Sequence, residues 1–235
     1  MTVFYVVFFT SFAYAGGFPA WYYQIEDTAK QKEEFIKQMK TFADKSNADI
    51  LKEREFVTSF FEKNVPYAFR GLNQENVGHL ISLRNKYGVQ NLFDREAYYE
   101  RIDIVPVSLT IAQASLESGW GKSRFSKEAN NLFGHWTYSG AGLVSSQIIS
   151  QGRVSMIRLF GSLQKSVDGY MHNLNTHNAY ADFRARRSKA RQKGEVYTGT
   201  EASKTMINYS EGKGEYIKMV QEMIKDNNLD ALDKK

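Results

Sequence analysis

The sequence predicts an α+β protein that is predominantly helical and carries one small β-hairpin lobe. Apolar residues recur at helical spacing, as at Phe35, Met39 and Phe42, and such a stripe is typical of an amphipathic helix packed on a core. Residues 137–160 differ, because glycines are interspersed there with valine, isoleucine and leucine, a composition typical of a hairpin. No repeat or long Gly/Ser/Pro linker follows Glu26, so one continuous domain is favoured.

The helices follow one another between short polar breaks. Phe56 and Phe60 repeat the four-residue step of the first stripe, which extends the helical pattern through that region. The apolar spacing predicts further helices, which are 75–87, 106–117, 166–177 and 213–226. The last of them has an apolar face made of Tyr216, Val220, Met223 and Ile224.

The composition excludes several classes of site. None of the 235 residues is cysteine, so a disulfide, a thiolate zinc site and a cysteine nucleophile are all excluded. The 4 histidines form no His-Glu-x-x-His pair, and we therefore predict neither a metal site nor any cofactor. The formal net charge of +5 favours attraction to an anionic polymer.

A basic run extends from Arg184 to Lys193. It has two interpretations, a solvated helix face or a contact for an anionic polymer. No aromatic residue is interleaved with its cations, so nucleic acid is not predicted as a partner.

Residues 1–15 form an apolar run that ends in Ala13, Tyr14 and Ala15, the small-x-small pattern of a signal-peptidase site. We therefore predict a signal peptide over 1–15 and an exported protein of the periplasm or cell wall. No charged residue precedes Glu26, and an uncharged stretch of that length approaches what a membrane span needs. A retained membrane anchor is the alternative.

Glu117 is placed where its acidity is expected to be unusual. Pro106 suits the first turn of a helix, and Gly119 and Gly121 supply its stop, so Glu117 falls in the last turn. That end of a helix carries partial negative charge. If Trp120 also crowds the carboxyl group, the dipole and burial both raise its pKa, as a general acid at neutral pH requires. A surface glutamate beside a helix end is the alternative interpretation.

Two motifs, one that contains Glu117 and one that follows it, carry a resemblance. The runs AQASLESGWGKSRF at 112–125 and NNLFG at 130–134 resemble the signatures of the glucosaminidase family of peptidoglycan hydrolases, most closely its Bax-like exported members. The similarity covers about 80–229 and is softer in the flanking helices. It implies a lysozyme-like helical domain with a small β-hairpin lobe. The cleft between the two parts would bind glycan strands of alternating N-acetylglucosamine and N-acetylmuramic acid.

The resemblance also implies an organisation and a set of site residues. A signal peptide over 1–15 would precede an N-terminal helical extension over 16–75, packed on a glucosaminidase catalytic domain over 76–235. Glu117 matches the family's general acid, and Tyr180 matches an active-site tyrosine; core packing is the alternative for Tyr180. The expected substrate-binding residues are Gln113, Asn131, Phe133, Trp136, Tyr138 and His177.

The expected activity is hydrolysis of the β-1,4 bond between N-acetylglucosamine and N-acetylmuramic acid by a monomer. Glycoside hydrolysis usually uses two carboxylates, yet no Asp or Glu lies between Glu128 and Asp168. Three alternatives remain open. The substrate's acetamido group acts as the nucleophile, an acid such as Glu128 or Asp182 reaches the cleft, or Glu117 acts alone as acid and base, as in a lytic transglycosylase or a muramidase on the same substrate. A catalytically silent wall-binding protein is a further alternative.

Overall fold

The computed structural model describes residues 16–137, 142–150, 153–210 and 212–233, with backbone only for 144–150 and 153–155. The predicted signal peptide over 1–15 and Tyr138, one of the expected substrate-binding residues, lie outside the described residues.

The described chain is mainly helical, and several of its helices begin at residues whose side chains cap them. Asp27 accepts the Lys30 N–H at 2.9 Å, and Ser162 accepts the Lys165 N–H at 3.2 Å, which satisfies donors that a helix start leaves free. The helices are α1 (Ala20–Tyr23), α2 (Thr28–Asn64), α3 (Gln74–Tyr87), α4 (Arg95–Arg101), α5 (Val107–Ser118), α6 (Arg124–Ala129), α7 (Leu163–Thr176), α8 (Ala181–Gln192), α9 (Gly199–Ser203) and α10 (Lys213–Asp226). Short 3₁₀ turns cover Val65–Tyr67, Asn178–Tyr180, Met206–Asn208 and Leu229–Leu232.

One small antiparallel sheet interrupts the helices. Its strands are β1 (Trp136–Thr137), β2 (Gly142–Ser150) and β3 (Arg153–Arg158), in the order β1-β3-β2. Ile157 pairs with Trp136 on one side and with Leu143 on the other, so these three side chains share one face of the sheet. The predicted fold class, mainly α with a hairpin lobe, is confirmed.

Helix α5 forms the centre of the core, and its residues are buried along most of its length. It packs against α2, α9, α10 and the turn Leu229–Leu232. Helix α2 also packs on α7, and its residues Phe35, Met39 and Val57 are fully buried in the same cluster as those of α5. The N-terminal helices thus share one core with the rest of the described chain, while the boundary near residue 76 stays a prediction.

The basic run does not form a uniformly solvated face. Arg184 and Arg187 are buried in the core side of α8, each 2% exposed, and Arg191 forms an ion pair with buried Asp103. Both interpretations therefore fail for these three arginines, because neighbouring main-chain oxygens and Asp103 bind their guanidinium groups.

No helix within the described residues is long and apolar enough to span a bilayer. In the same part of the chain, no group of three or more acidic or histidine side chains is arranged to hold a metal ion.

Candidate active site

Glu117 lies in the last turn of α5, directly before a tight change of chain direction. Gly119, Trp120 and Gly121 have φ values of +56°, +56° and +72°, so the chain adopts the left-handed conformation three times in succession. Glycine reaches this region without a steric penalty, whereas Trp120 does not. The Ser118 hydroxyl accepts the Gly121 N–H at 2.7 Å and supports the turn from within.

The Glu117 carboxylate faces a loop and a helix from distant parts of the sequence. Its Oε1 accepts a hydrogen bond from the Tyr216 hydroxyl of α10 at 2.8 Å. Its Oε2 lies beside Gly134, 3.9 Å from where a β-carbon would stand. The side chain remains accessible to solvent, yet the surrounding protein removes enough water to raise the pKa of Glu117, an effect that the Tyr216 hydrogen bond partly opposes.

A one-directional chain of hydrogen bonds leads to this carboxylate from the core. The Tyr170 hydroxyl donates to Gln113 Oε1 at 2.5 Å, and Gln113 Nε2 donates to the Tyr216 hydroxyl at 2.9 Å. Because that hydroxyl already accepts from Gln113, its own proton points to Glu117. Gln113 is one helical turn before Glu117, so both side chains lie on the same face of α5.

Aromatic rings surround this chain of bonds. Tyr216 stacks on Tyr209, with ring centroids 5.4 Å apart and planes 10° apart, and Tyr170 stacks on Phe133 at 4.1 Å and 7°. Tyr180 joins the cluster 6.4 Å from Tyr209. Burial raises the pKa of Tyr170, Tyr180 and Tyr209, so these phenols stay protonated at neutral pH and act as donors.

The structure places three of the predicted sugar ligands inside the protein. Gln113 is fully buried within the hydrogen-bond chain, and the Phe133 ring, 4% exposed, lies against Tyr170. Asn131 is 2% exposed and ties the loop to β3, because its Nδ2 donates to the carbonyl oxygens of His135 and Arg158. Protein contacts thus engage much of these three side chains, and their predicted role in sugar binding stays a prediction.

The remaining predicted residues differ in exposure. Trp136 is 43% exposed at the start of the sheet, which leaves its ring free to meet a sugar. His177 is exposed, and its Nδ1 accepts the Ala179 N–H at 3.2 Å. Tyr180 is 6% exposed. The roles assigned to these three residues stay predictions.

Two acids considered as a second catalytic group are already engaged. Glu128 forms an ion pair with Arg124 at 2.9 Å, and Asp182 forms one with Arg186 at 3.1 Å. Each pair is exposed and lies within a single helix. Neither carboxylate is held toward Glu117 by a bond of its own.

The residue that binds Glu117, Tyr216, was not among those expected from the sequence. The sequence places Tyr216 on the apolar face of its helix, where a tyrosine usually packs in the core. The signal that would have separated the two roles is a pairing across 99 residues, which no local pattern contains.

Two curated proteins are similar to this chain in sequence. Protein bax of Escherichia coli is 35% identical over 128 residues, which cover 54% of this chain and 45% of that protein. Exo-glucosaminidase LytG of Bacillus subtilis is 58% identical over 36 residues, or 15% of this chain and 12% of that protein. The chain therefore matches less than half the length of each curated relative.

Among solved structures, the catalytic domain of the autolysin Auto from Listeria monocytogenes matches with a TM-score of 0.43 and 20% identity, over 73% of this chain and 97% of that one. The family model for glucosaminidase, described as mannosyl-glycoprotein endo-beta-N-acetylglucosaminidase, matches residues 94–229. That span contains Glu117, Gly134 and Tyr216, and it covers more than half of the sequence. The chain belongs to the glucosaminidase family.

Proposed function

We propose that this protein hydrolyses peptidoglycan at the β-1,4 bond between N-acetylglucosamine and N-acetylmuramic acid, with Glu117 as the general acid. The observation that carries the proposal is an accessible carboxyl group whose pKa is raised by its surroundings and whose Oε1 is held by Tyr216. A general acid needs a pKa near the working pH. The family membership and the name of the Bacillus subtilis relative, exo-glucosaminidase, support the choice of substrate.

The two carboxyl oxygens of Glu117 have different tasks in this proposal. Oε1 accepts from Tyr216 and fixes the plane of the group. Oε2, beside Gly134, carries the proton that passes to the leaving glycosidic oxygen. A glycine next to Oε2 leaves room for the glycan to approach, because a larger side chain would extend into that space.

For the second group we propose the substrate's own acetamido oxygen. It attacks the anomeric carbon while Glu117 protonates the leaving oxygen, and water then opens the cyclic intermediate with Glu117 as the base. Engagement of Glu128 and Asp182 with arginines supports this choice over a second protein carboxylate. The phenols of buried Tyr180 and half-buried Tyr209 stay protonated at neutral pH and are suitable donors for orienting an acetamide.

The lack of an acid between Glu128 and Asp168 also favours a second candidate, a lytic transglycosylase that uses Glu117 alone. Digestion of purified sacculi by the full chain, followed by mass spectrometry of the products, separates the two. Reducing ends that carry water support the hydrolase, and anhydro-muramic ends support the transglycosylase. Binding to sacculi without release of any fragment contradicts both and indicates a wall-binding protein.

The site of action follows from the substrate. We propose that the protein works outside the cytoplasm, which the apolar run over 1–15 with its Ala13, Tyr14 and Ala15 ending supports.

Replacing Tyr216 by phenylalanine tests how the acid is held. Loss of the hydroxyl removes the hydrogen bond that lowers the pKa of Glu117, so we expect the alkaline limb of the pH–rate profile to move to higher pH. The rate falls about tenfold because the carboxyl plane is no longer fixed. Tyr87→Phe is the matched control, since Tyr87 is also buried and donates to a carboxylate, Glu53, at 2.6 Å. An unshifted limb in Tyr216→Phe would contradict the assignment.

A further inference from the structure

Residues 16–23, called here the N-terminal strap, lie outside the span that the family model matches, 94–229, yet they dock beside the candidate acid. The Gly17 N–H donates to Asn130 Oδ1 at 2.7 Å. This bond places the start of the strap on the residue that directly follows α6. Gly17 itself has a φ of +87°, and a β-carbon there would lie 2.5 Å from the Tyr23 hydroxyl, so the strap fits closely at its first residues.

Two aromatic side chains fix the strap to the turn after Glu117. Phe18 is 4% exposed and Tyr22 is fully buried, with ring centroids 4.5 Å apart. Phe18 lies directly against Gly121, where a β-carbon would be 2.4 Å from its ring. Phe35 of α2 continues the cluster, 5.5 Å from Phe18 and 5.5 Å from the Trp120 ring. The strap is therefore part of the packed core around the turn.

The strap also binds the backbone of the turn directly. The Tyr22 hydroxyl donates to the Trp120 carbonyl oxygen at 2.7 Å. Trp120 is the residue of the turn with an unfavourable conformation, at φ +56°, and such a residue costs about 1–3 kcal/mol and persists only where its surroundings hold it. A buried hydroxyl bonded to its carbonyl is such a restraint.

Trp120 is also bonded to the end of α5. The Trp120 N–H donates to the Ser115 carbonyl oxygen at 3.0 Å and closes the last turn of the helix, the turn that contains Glu117. Trp120 is thus held on both sides, through its N–H by α5 and through its carbonyl oxygen by Tyr22. Without the Tyr22 bond the whole residue would be free to shift, which would weaken the closing bond and move the Glu117 side chain relative to Tyr216. A displacement of about 1 Å in a catalytic group is enough to cost about a hundredfold in rate.

We propose that Tyr22 is a positioning residue for Glu117, and that the N-terminal strap is a working part of the active site although it lies outside the family's matched region. The inference rests on the proposed function of Glu117 as general acid. Tyr22 touches no substrate in this arrangement; it acts through Trp120 and the end of α5. The fully buried ring supplies the packing, and the hydroxyl supplies the restraint on the turn.

The test compares two buried tyrosines in the full chain. Tyr22→Phe removes only the hydroxyl that binds Trp120. Tyr98→Phe is the matched control, because Tyr98 is also fully buried and donates to a main-chain oxygen, that of Leu80, at 3.3 Å, away from Glu117. We expect Tyr22→Phe to lower kcat on sacculi about tenfold with KM little changed. We also expect its alkaline limb to move to lower pH, because a released Glu117 gains water and its pKa falls toward the ordinary value.

A second variant guards against a change in folding. Phe18→Leu disturbs the packing of the strap on Gly121 but leaves the Tyr22 hydroxyl in place, so it should keep both kcat and the alkaline limb close to those of the wild type. Superimposable pH profiles of Tyr22→Phe and the wild type would overturn the proposal. So would equal losses in Tyr22→Phe and Tyr98→Phe that follow their melting temperatures, since that pattern indicates lost stability alone.

A direct titration separates this inference from the proposed function. If the wild-type chain releases nothing from sacculi, the proposed function fails, but carbon-13 NMR of labelled glutamate still measures the pKa of Glu117. A lower pKa in Tyr22→Phe than in wild type and Tyr98→Phe supports the positioning role of Tyr22. Equal values in the three proteins overturn it.

Discussion

Replacing Glu117 by glutamine is expected to lower the rate of glycan cleavage about 10²- to 10⁴-fold, the range that general acid catalysis contributes. Glutamine keeps the shape of the side chain and a carbonyl oxygen that accepts from Tyr216, so the site should stay assembled. It has no proton to give to the leaving oxygen. Release of muropeptides from sacculi, followed over time, measures the loss, and an activity equal to wild type would contradict the assignment of Glu117.

The same variant should be at least as stable as the wild type at neutral pH. Burial raises the pKa of Glu117 in the folded chain, so the folded state binds this proton more tightly than the unfolded state does. That stabilisation is complete below the ordinary pKa of the group and is lost as the pH rises through the folded pKa. Glutamine cannot ionise, and its melting temperature should not fall as the pH is raised through this window.

A matched control for this variant is Glu215→Gln. Glu215 is an exposed glutamate on α10 whose carboxylate pairs with Lys218 at 2.8 Å. Exposed pairs of this kind contribute about 0–1 kcal/mol, so both its activity and its stability should stay close to wild type. A loss in Glu215→Gln as large as that in Glu117→Gln would show that any added amide on this side of the protein impairs it.

Replacing Arg187 by methionine is expected to destabilise the fold by about 1–3 kcal/mol or more, because it leaves several buried oxygens without their hydrogen-bond donor. Its guanidinium group donates to the carbonyl oxygens of Glu100, Asp103 and Ile104 at 2.9–3.0 Å. It also donates to Asn175 Oδ1 at 2.7 Å. Burial lowers the pKa of Arg187 to about 10, so the group is still charged at neutral pH. Urea unfolding at that pH measures the change.

Lys189→Met is the control for this effect, because Lys189 lies on the same helix and is exposed. A surface substitution of this kind usually changes the free energy of unfolding by about 0.5 kcal/mol or less. Similar small changes in the unfolding free energy of both variants would contradict the structural role of Arg187. A loss of sacculus binding in Arg187→Met with an unchanged unfolding free energy would instead support the interpretation of the basic run as a contact for an anionic polymer.

Local sequence patterns were sufficient for the elements whose signals are local. The helix predicted over 106–117 is observed as Val107–Ser118, and the glycine-rich stretch forms β2 and β3. The burial of Arg184 and Arg187 was beyond such patterns. The two terminal nitrogens of Arg187 donate to main-chain oxygens that lie 83–87 residues earlier. A run of basic residues has the same composition whether its partners are water or distant carbonyl groups.

Some features of the candidate site could be predicted from the sequence, and others depend on the fold. The position of Glu117 before the Gly119 stop predicted the direction of its pKa, which burial raises in the structure, whereas its role as the acid came from the family resemblance and stays a proposal. Gln113 and Asn131 were expected to contact sugar because amides suit both sugar hydroxyls and protein backbones. Only the fold decides between these uses, and here it places both amides inside hydrogen-bond networks.

The shared core of α2, α5 and α7 defines the cooperative unit of this protein. Phe35, Met39 and Val57 of α2 lie in the same cluster as the residues around α5, so the two parts cannot unfold independently without exposing each other's apolar surface. A single thermal transition with equal calorimetric and van't Hoff enthalpies is the behaviour of such a unit. The residues that the family model matches, 94–229, are therefore fewer than the residues that unfold together, because the shared core also includes α2.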